Sequence, residues 1–388
     1  MVSGAGEKAM CAGGDVAALA LQNEKGPEGQ QRSADFFGLE FRIDHAIAGY
    51  SKPYISIMDG VTMGGGVGLS VHAPFRIATE RTLFAMPETN IGYYPDVGGS
   101  FFLSRLDGEV GTYLALTSER LKGVQALYSG IATHYLHSSV LGNMTQRLSE
   151  LVFKDYASLQ ERLDLVNKTI AEFSTGLPSQ QEQPILLAGS LRQAIDRCFQ
   201  YNSVEEIIAA LEKETEQKEW AQKTLATLTK RSPTSLKVAL RAQRLGKTWT
   251  IDETFQREHQ ISAHFMRHPD FVEGVKALLV NKTNDPSWKP AALNEVTDDY
   301  VDSFFTLPEG ESRMELYGDA KFQSYPHAQY ALPSEAEIEK FVRDTSSAQR
   351  ETIIEFASKW GQKEGVREKV AEVLARRTTS TPNGLQWE

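Results

Sequence analysis

Two glycine-rich loops are the first feature of the sequence whose residue types suggest chemistry. One runs from Cys11 to Asp15 and the other from Met63 to Gly68, and each follows a predicted strand and opens a predicted helix. Backbone N–H groups at such a junction have no intrahelical partner and lie in the positive field of the helix start, so they favour an anion. Two loops from separate strands can direct one donor each at a single developing oxyanion. Taken alone, each loop is also explained as a turn in which glycine supplies a positive φ.

A candidate reacting carboxylate follows the second loop. Glu88 comes after a predicted strand and a proline, with an isoleucine and two tyrosines following it, so we expect it in a partly dry pocket. Desolvation raises the pKa of a carboxyl group and makes its carboxylate a better base or nucleophile. Asp96 follows eight residues later, at the start of another predicted helix. The local sequence also explains Glu88 as a solvated loop residue and Asp96 as a helix N-cap.

Other kinds of catalytic site find little support in the sequence. The histidines His259, His264 and His268 lack the H-E-x-x-H spacing of a zinc site, and no G-x-S-x-G motif of a serine hydrolase is present. The second glycine loop has neither the G-x-G-x-x-G spacing of a dinucleotide site nor the Lys-Ser/Thr of a P-loop. Cys11 has no histidine near it in the sequence that would activate it as a nucleophile. We therefore predict no metal and no cofactor.

Composition restricts the class of protein. The chain has 388 residues, of which 41% are hydrophobic, and a net charge of -10 from 41 basic and 51 acidic residues. Its length predicts two or three packed units, and its acidic balance argues against direct nucleic-acid binding. No apolar run approaches the roughly 20 residues that span a bilayer, so no membrane partner is predicted. The two cysteines, Cys11 and Cys198, exclude a disulfide framework and indicate a reducing compartment such as the cytosol or the mitochondrial matrix.

The elements that would position these residues change character along the chain. In the first half, short strands are predicted at 53–58, 75–79 and 83–86, and helices at 64–71 and 97–106. Strands that alternate with glycine turns and helices are typical of an α/β fold.

From about residue 141 onward, long charged amphipathic helices dominate. They are predicted at 204–228, 250–266 and 269–280. Residues 317–332 are predicted to form an irregular linker, and a capping box at 334–337 then opens a final set of helices.

Taken together, the motifs resemble the crotonase superfamily over about residues 1–308. Within it they resemble the branch that hydrolyses 3-hydroxyisobutyryl-CoA. The matching segments are residues 11–15, 52–53, 60–69, 84–89, 94–99, 115–117, 120–123, 232–236, 270–277 and 288–290. The resemblance implies a spiral of ββα turns followed by C-terminal helices, with an acyl-CoA bound between them. It places a spiral core at 1–190, a helical region completing the acyl-CoA site at 191–310, and a linker and helical extension at 311–388.

The resemblance also implies roles for individual residues. The N–H groups of Gly14 and Gly65 would form the oxyanion hole, and Glu88 would attack the thioester carbonyl or activate the attacking water. Asp96 would bind the hydroxyl end of the substrate or assist proton transfer, and Glu40 matches a further substrate-contacting position. The products would be CoA and 3-hydroxyisobutyrate, a step of valine breakdown in the mitochondrial matrix. CoA enters as part of the substrate, so no separate cofactor is implied.

Gly68 separates hydrolysis from hydration in this interpretation. Hydratases of the superfamily carry a second glutamate at the position that Gly68 matches. Adding water across a double bond needs both an acid and a base, so a site with Glu88 alone favours hydrolysis.

Two departures from the family pattern leave alternatives open. The family implies an earlier strand, a turn that helps to hold CoA, and a helix. Their absence, like that of a presequence, predicts either an incomplete sequence or a lost CoA contact. Residues 311–388 extend past the usual end and are predicted to bind a partner, to support a homo-oligomer, or to pack as an appendage. The alternative functions are a non-catalytic component of the mitochondrial ribosome's small subunit and, third, an enoyl-CoA hydratase or isomerase.

Overall fold

The structure is a computed structural model that describes residues 1–6, 8–307, 309–345, 349–382 and 384–388. Within these residues, the strands are β1 (Ala9–Cys11), β2 (Ile55–Met58), β3 (Val61–Met63), β4 (Phe75–Ala78), β5 (Leu83–Ala85), β6 (Leu121–Lys122), β7 (His134–Tyr135), β8 (Thr378–Thr381) and β9 (Gly384–Trp387).

The helices occupy most of the remaining chain. They are α1 (Val16–Asn23), α2 (Pro27–Ala48), α3 (Gly65–Val71), α4 (Gly99–Phe102), α5 (Val110–Thr117), α6 (Val124–Tyr128), α7 (Leu141–Ser149), α8 (Leu159–Ala171), α9 (Gly189–Phe199), α10 (Val204–Lys213), α11 (Lys218–Leu228), α12 (Pro233–Gly246), α13 (Ile251–Arg267), α14 (Pro269–Val275), α15 (Asp298–Ser303), α16 (Glu335–Asp344), α17 (Gln349–Lys359) and α18 (Val366–Arg377). In the part of the chain that the structure describes, none of the helices combines the length and the apolar character needed to cross a membrane.

The strands of the first half are shared between two small sheets. One sheet has the order β1-β3-β5-β6 and the other the order β2-β4-β7. From β2 the chain crosses to β3 in the other sheet, passes through α3, returns to β4 beside β2 and crosses again to β5. This repeated strand–strand–helix course is the predicted ββα spiral, so the predicted fold class is confirmed.

The burial of the strands explains why they read as apolar runs. Every residue of β2 and of β4 is buried, and the two strands pair in parallel from Ile55 opposite Phe75 to Met58 opposite Ala78. Parallel strands covered on both faces carry continuous apolar side chains instead of an alternating pattern. The predicted strands at 53–58, 75–79 and 83–86 are therefore present, each slightly shorter than predicted.

The helix α2 is a 22-residue element that the sequence analysis did not predict. Its N-terminus has Pro27 in the first turn, where the missing N–H costs no hydrogen bond. Gly49 is the C-cap that follows its last residue, Ala48. Ala34, Phe37 and Phe41 on its inner face are buried. They follow the spacing of a helical stripe that packs on a core, and α2 lies against α13.

Two of the predicted helices are interrupted in the structure. The helix predicted at 204–228 is divided into α10 and α11, because Glu214 adopts an extended backbone and its carboxylate accepts hydrogen bonds from the N–H groups of Glu216 and Gln217. The helix predicted at 97–106 starts only at Gly99, since Val97 and Gly98 have positive φ values of 50° and 82°. Such left-handed backbone cannot belong to a right-handed helix.

Residues of the predicted extension at 311–388 pack on the rest of the chain. The predicted capping box is present at Ser334, which opens α16 and buries Ile338 in the same apolar cluster as the spiral. Glu335 forms ion pairs with Arg192 of α9 at 2.9 Å and with Arg376 of α18 at 2.5 Å. A hairpin of β8 and β9 that the sequence analysis did not predict follows α18.

Candidate active site

The ends of three neighbouring strands form the centre of the candidate site. β1, β3 and β5 are parallel neighbours in one sheet, so the residues that follow them lie at the same edge. A Cβ atom built on Gly65 would lie 3.7 Å from the Cα atom of Gly13, and one built on Gly64 would lie 3.3 Å from Oε1 of Glu88. The structure thus brings the two predicted glycine loops and the predicted carboxylate together.

The glycines of the two loops divide into turn formers and donors. Gly13 and Gly64 have positive φ values of 95° and 50°, which side chains disfavour, so the turn explanation holds for them. Gly14 and Gly65, which follow them, have backbone N–H groups that donate no hydrogen bond within the described residues. Gly65 is the first residue of α3, where an N–H has no intrahelical acceptor. Each loop therefore offers one donor that is unused among the described residues.

Glu88 is buried, and the alternative of a solvated loop residue is wrong. The residue begins the 3-10 helix Glu88–Ile91 and is 5% exposed. Its Oε2 atom has no hydrogen-bond partner among the described residues. Burial raises the pKa of Glu88 to about 8, and the nearby charge of Glu40 adds to the effect. A carboxylate formed here is poorly solvated and is therefore a strong base or nucleophile.

Glu40 enters the site from α2. Its Oε1 atom lies 2.2 Å from the position that a Cβ atom on Gly65 would occupy, so a side chain at residue 65 would force the Glu40 carboxyl to move. Burial raises the pKa of Glu40 to about 7. The unpredicted helix α2 thus places a second carboxyl group against the loop that carries the Gly65 donor.

Asp96 is buried beside the same groups, and the N-cap alternative is wrong. The N-cap of α4 is Gly98, and no side chain caps that helix. The Oδ2 atom of Asp96 lies 3.2 Å from the hydroxyl of Tyr93. Burial raises the pKa of Asp96 well above its ordinary value, and the charges of Glu88 and Glu40 raise it further.

Glu258 on α13 holds the loop that carries Asp96, and the sequence analysis assigned it no role. Its carboxylate accepts hydrogen bonds from the N–H groups of Gly98 and Ser100 at 2.7 and 2.9 Å, and from the Ser100 hydroxyl. Glu258 is fully buried on the inner stripe of α13, between Phe255 and Phe265. A charged residue at an apolar position of a helical stripe is the signal that could have identified it.

A histidine connects the same loop to the predicted extension. The Nε2 atom of His72 lies 2.8 Å from the carbonyl oxygen of Val97, and its Nδ1 atom lies 2.8 Å from the hydroxyl of Tyr325. Burial lowers the pKa of His72 to about 4, so the ring is neutral at physiological pH. Because a carbonyl only accepts, Nε2 carries the proton and Nδ1 accepts from Tyr325. Residue 325 thereby supports the left-handed turn next to Asp96.

Asp44 occupies the space beside Gly68. A Cβ atom on Gly68 would lie 2.5 Å from Oδ2 of Asp44 and 2.8 Å from Cβ of Val97, so residue 68 cannot carry a side chain here. Asp44 is fully buried, and neither carboxyl oxygen has a hydrogen-bond partner among the described residues. Burial and the charges of Glu40 and Glu258 raise the pKa of Asp44 well above its ordinary value. The protonated carboxyl is therefore the form that this position favours.

Two of the histidines that the sequence analysis considered as metal ligands, His264 and His268, have structural roles. Across the described ranges, no three His, Cys, Asp or Glu side chains are arranged to hold a metal ion. His268 accepts a hydrogen bond at the start of α14, where the N–H of Asp270 donates to its Nδ1 atom. His264 lies beside the ring of Phe304. Both histidines are explained by local packing and capping.

The chain matches known proteins over most of its length. A family profile described as enoyl-CoA hydratase/isomerase matches residues 1–305. Small ribosomal subunit protein mS47 of Neurospora crassa is 50% identical over an alignment of 405 residues, which covers 100% of this chain and 78% of that protein. The mitochondrial 3-hydroxyisobutyryl-CoA hydrolase of Gallus gallus is 44% identical over 316 residues, which cover 81% of this chain and 78% of that protein.

Solved structures give the same result for the fold. A carnitinyl-CoA dehydratase from Mycobacterium thermoresistibile superimposes with a TM-score of 0.69 at 33% identity, over 82% of this chain and 85% of that chain. An enoyl-CoA hydratase from Rhodobacter sphaeroides gives a TM-score of 0.67 at 30% identity, over 81% of this chain and 85% of that chain.

Replacing Glu88 by glutamine is expected to stabilise the protein at alkaline pH. The pKa of Glu88 is about 8 in the folded protein against a reference value of 4.5, so unfolding between these values releases a proton. The free energy of unfolding of the wild type therefore falls as the pH rises through this window, and the variant lacks this loss. Urea unfolding at about pH 8.5 should find Glu88→Gln more stable by at least about 1 kcal/mol, with a smaller difference near pH 5.

The matched control for this measurement is Glu212→Gln, at an exposed position of α10. It makes the same change of charge and should leave the stability unaltered at both pH values. If Glu88→Gln were less stable than the wild type at both pH values, the fold would favour the ionised carboxylate and the argument from burial would be wrong.

Proposed function

The chain belongs to the enoyl-CoA hydratase/isomerase family, and from this premise we propose that it hydrolyses the thioester of 3-hydroxyisobutyryl-CoA to 3-hydroxyisobutyrate and CoA. One observation carries the proposal: among the described residues, Glu88 is a buried carboxyl with an unpartnered oxygen, beside the glycine loops whose Gly14 and Gly65 N–H groups donate no hydrogen bond. The relative from Gallus gallus that bears this activity in its name supports the choice of substrate.

The proposed reaction begins with polarisation of the thioester carbonyl. The N–H groups of Gly14 and Gly65 would donate to its oxygen and stabilise the negative charge that develops there. Removing one such donor from a hydrolase typically costs on the order of 100- to 1,000-fold in rate. Glu88 would then act in one of two ways that use the same carboxylate. It attacks the carbonyl carbon, expels the CoA thiolate and forms an anhydride that water hydrolyses, or it removes a proton from the attacking water.

Asp96 and Glu40 would receive the hydroxylated end of the acyl group. Both carboxyl groups lie close enough to Glu88 for their charges to influence its surroundings, and both have raised pKa values. A protonated carboxyl can donate a hydrogen bond to a substrate hydroxyl and also accept one from it. We place the reaction in valine breakdown in the mitochondrial matrix, in agreement with the mitochondrial name of the related hydrolase.

Hydration of an enoyl-CoA is a weaker candidate for this site. Addition of water to a double bond needs an acid and a base, and the second glutamate of hydratases has no space at Gly68. Asp44 and Val97 fill that space.

The hydrolase proposal is tested by measuring the release of CoA thiol from 3-hydroxyisobutyryl-CoA. The folded wild type should turn the substrate over, and Glu88→Gln should lower kcat/KM by at least about 100-fold because the reacting carboxylate is lost. Glu212→Gln is again the control and should keep wild-type activity. Absence of thiol release from a folded wild type would refute the hydrolase proposal.

A second candidate is association with the small subunit of the mitochondrial ribosome through residues 311–388. The specific observation is the extent of the similarity. The Neurospora crassa relative named as a small ribosomal subunit protein aligns over the whole chain, whereas the family match ends at residue 305 and the hydrolase from Gallus gallus covers 81%. The two candidates are compatible, because none of the carboxyl groups that would take part in the reaction belongs to the extension.

Sedimentation tests the second candidate. In a gradient of mitochondrial lysate at moderate salt, the protein should travel with the small subunit, and Glu88→Gln should travel with it equally because the catalytic carboxylate is not needed for docking. Recovery of all the protein at the top of the gradient, while ribosomal proteins sediment normally, would exclude the association.

A further inference from the structure

A cavity of about 850 Å³ lies between the spiral and the extension. Arg76, Phe102 and Arg105 line it from the spiral, and Tyr325 and His327 line it from the extension. Its lining includes none of the carboxyl groups described at the candidate active site. Pockets for small molecules usually measure about 300–1,000 Å³, so the size is that of a ligand site.

Arg76 gives this cavity a buried positive charge. The residue is 6% exposed, and its guanidinium donates to the carbonyl oxygens of Ile131 at 2.7 Å, Ala73 at 2.8 Å and Gly130 at 3.4 Å. No carboxylate pairs with it among the described residues. A guanidinium has five N–H donors, so two remain beyond these three bonds. Burial lowers the pKa of Arg76 to about 10, which still leaves it charged at neutral pH. A buried charge without a counter-charge is costly, and an anion would offset that cost.

Two further arginines at the cavity lack a carboxylate partner in the described part of the chain. Arg105 donates to backbone carbonyls, including that of Trp249 at 2.8 Å, and stacks on the ring of Phe101 at 3.6 Å. Arg377 lies over the ring of Trp387, and its Nε atom is buried without a partner. The cavity thus holds three guanidinium groups whose charges are not neutralised.

Four of the five acidic residues of the lining are already paired with other cations and do not compensate these charges, and the fifth, Glu337, caps α16 through Ser334. Asp107 pairs with Lys369 at 2.7 Å, and Glu109 pairs with Arg244 at 2.9 Å. The remaining carboxylates of the lining are Glu335, which pairs with Arg192 and Arg376, Glu337, which caps α16, and Glu339, which pairs with Arg343.

Unpartnered polar atoms and apolar walls complete the cavity. His327 is 5% exposed, and its Nε2 atom has no hydrogen-bond partner in the described ranges. The indole Nε1 of Trp387 is likewise buried without a partner. Phe102 and Leu332 supply apolar surface to the same lining. Polar groups without partners beside apolar walls are the usual composition of a site for a small organic molecule.

We propose that this cavity binds a small organic anion, a carboxylate or a phosphate monoester with an apolar body, whose anionic group pairs with the free guanidinium charges of Arg76 and Arg377. The apolar body lies against Phe102 and Leu332. Because the lining comes from both the spiral and the extension, a bound anion also ties the extension to the spiral. The site is separate from the thioester chemistry, so its test does not depend on the proposed hydrolase.

Calorimetric titration of the full-length protein tests the proposal. Phenyl phosphate and hexanoate are the anionic probes, which separate the phosphate source from the carboxylate source, and benzyl alcohol is the neutral probe. At least one anionic probe should bind saturably with one molecule per chain, and benzyl alcohol should not. Arg377→Gln should weaken binding by at least about tenfold, the usual loss for a hydrogen bond to a charged group.

The matched control is Arg32→Gln, at an exposed position of α2, which removes the same charge and should leave the affinity unchanged. Arg76→Gln should abolish binding. If the Arg76→Gln variant does not fold, His327→Gln is measured in its place and should weaken the affinity several-fold. Absence of saturable binding of both anions to the folded wild type would overturn the proposal. Equal affinity in the wild type and Arg377→Gln would do the same, since the anion would then bind elsewhere.

Discussion

The candidate site depends on the removal of the Glu88 carboxyl from water, beside two strand ends whose N–H donors are unused in the described part of the chain. The parallel order of β1, β3 and β5 forces these strand ends to one edge, and the donors at Gly14 and Gly65 require backbone that approaches closely. A carboxyl group in such a place resists ionisation, as its raised pKa indicates. Ionisation of Glu88 therefore lowers the stability of the folded protein, and such a loss of stability is common at functional sites.

Buried hydrogen bonds hold the loop that carries Asp96 in place next to this carboxyl. Glu258 binds the N–H groups at the start of α4, and His72 binds the carbonyl of Val97. Tyr325, which lies beyond the family match, completes this arrangement through the other nitrogen of His72. The extension is thus a structural part of the site as well as the segment shared with a relative named as a ribosomal protein. A catalytic and a docking function can coexist in such a chain.

The sequence marked as candidates the parts of the site whose chemistry is local, and the family resemblance was needed to choose between their alternative explanations. The glycine loops and Glu88 could be found because backbone donors and a carboxylate after a strand each leave a short motif. Asp44 and Glu258 could not, since their roles come from contacts between distant elements. In the sequence, each is a charged residue at an apolar position of a helical stripe. This pattern identifies a buried charge only when it is known that α2 and α13 pack on the core. The division of the predicted helix 204–228 at Glu214 was not predicted either, because it arises from the Glu214 side chain, which competes with the helix for backbone N–H groups.

The central claim is that burial holds the pKa of Glu88 far above the ordinary value of a glutamate, so that the ionised form that would react is poorly solvated, and infrared difference spectroscopy tests this most directly. The spectrum of the wild type minus that of Glu88→Gln contains the C=O stretch of the protonated Glu88 carboxyl, which the variant lacks. The band should be present at neutral pH and should disappear with a midpoint near the pKa of about 8. A band that has already vanished by about pH 5, close to the ordinary pKa of a glutamate, would mean that Glu88 is solvated and would contradict the account.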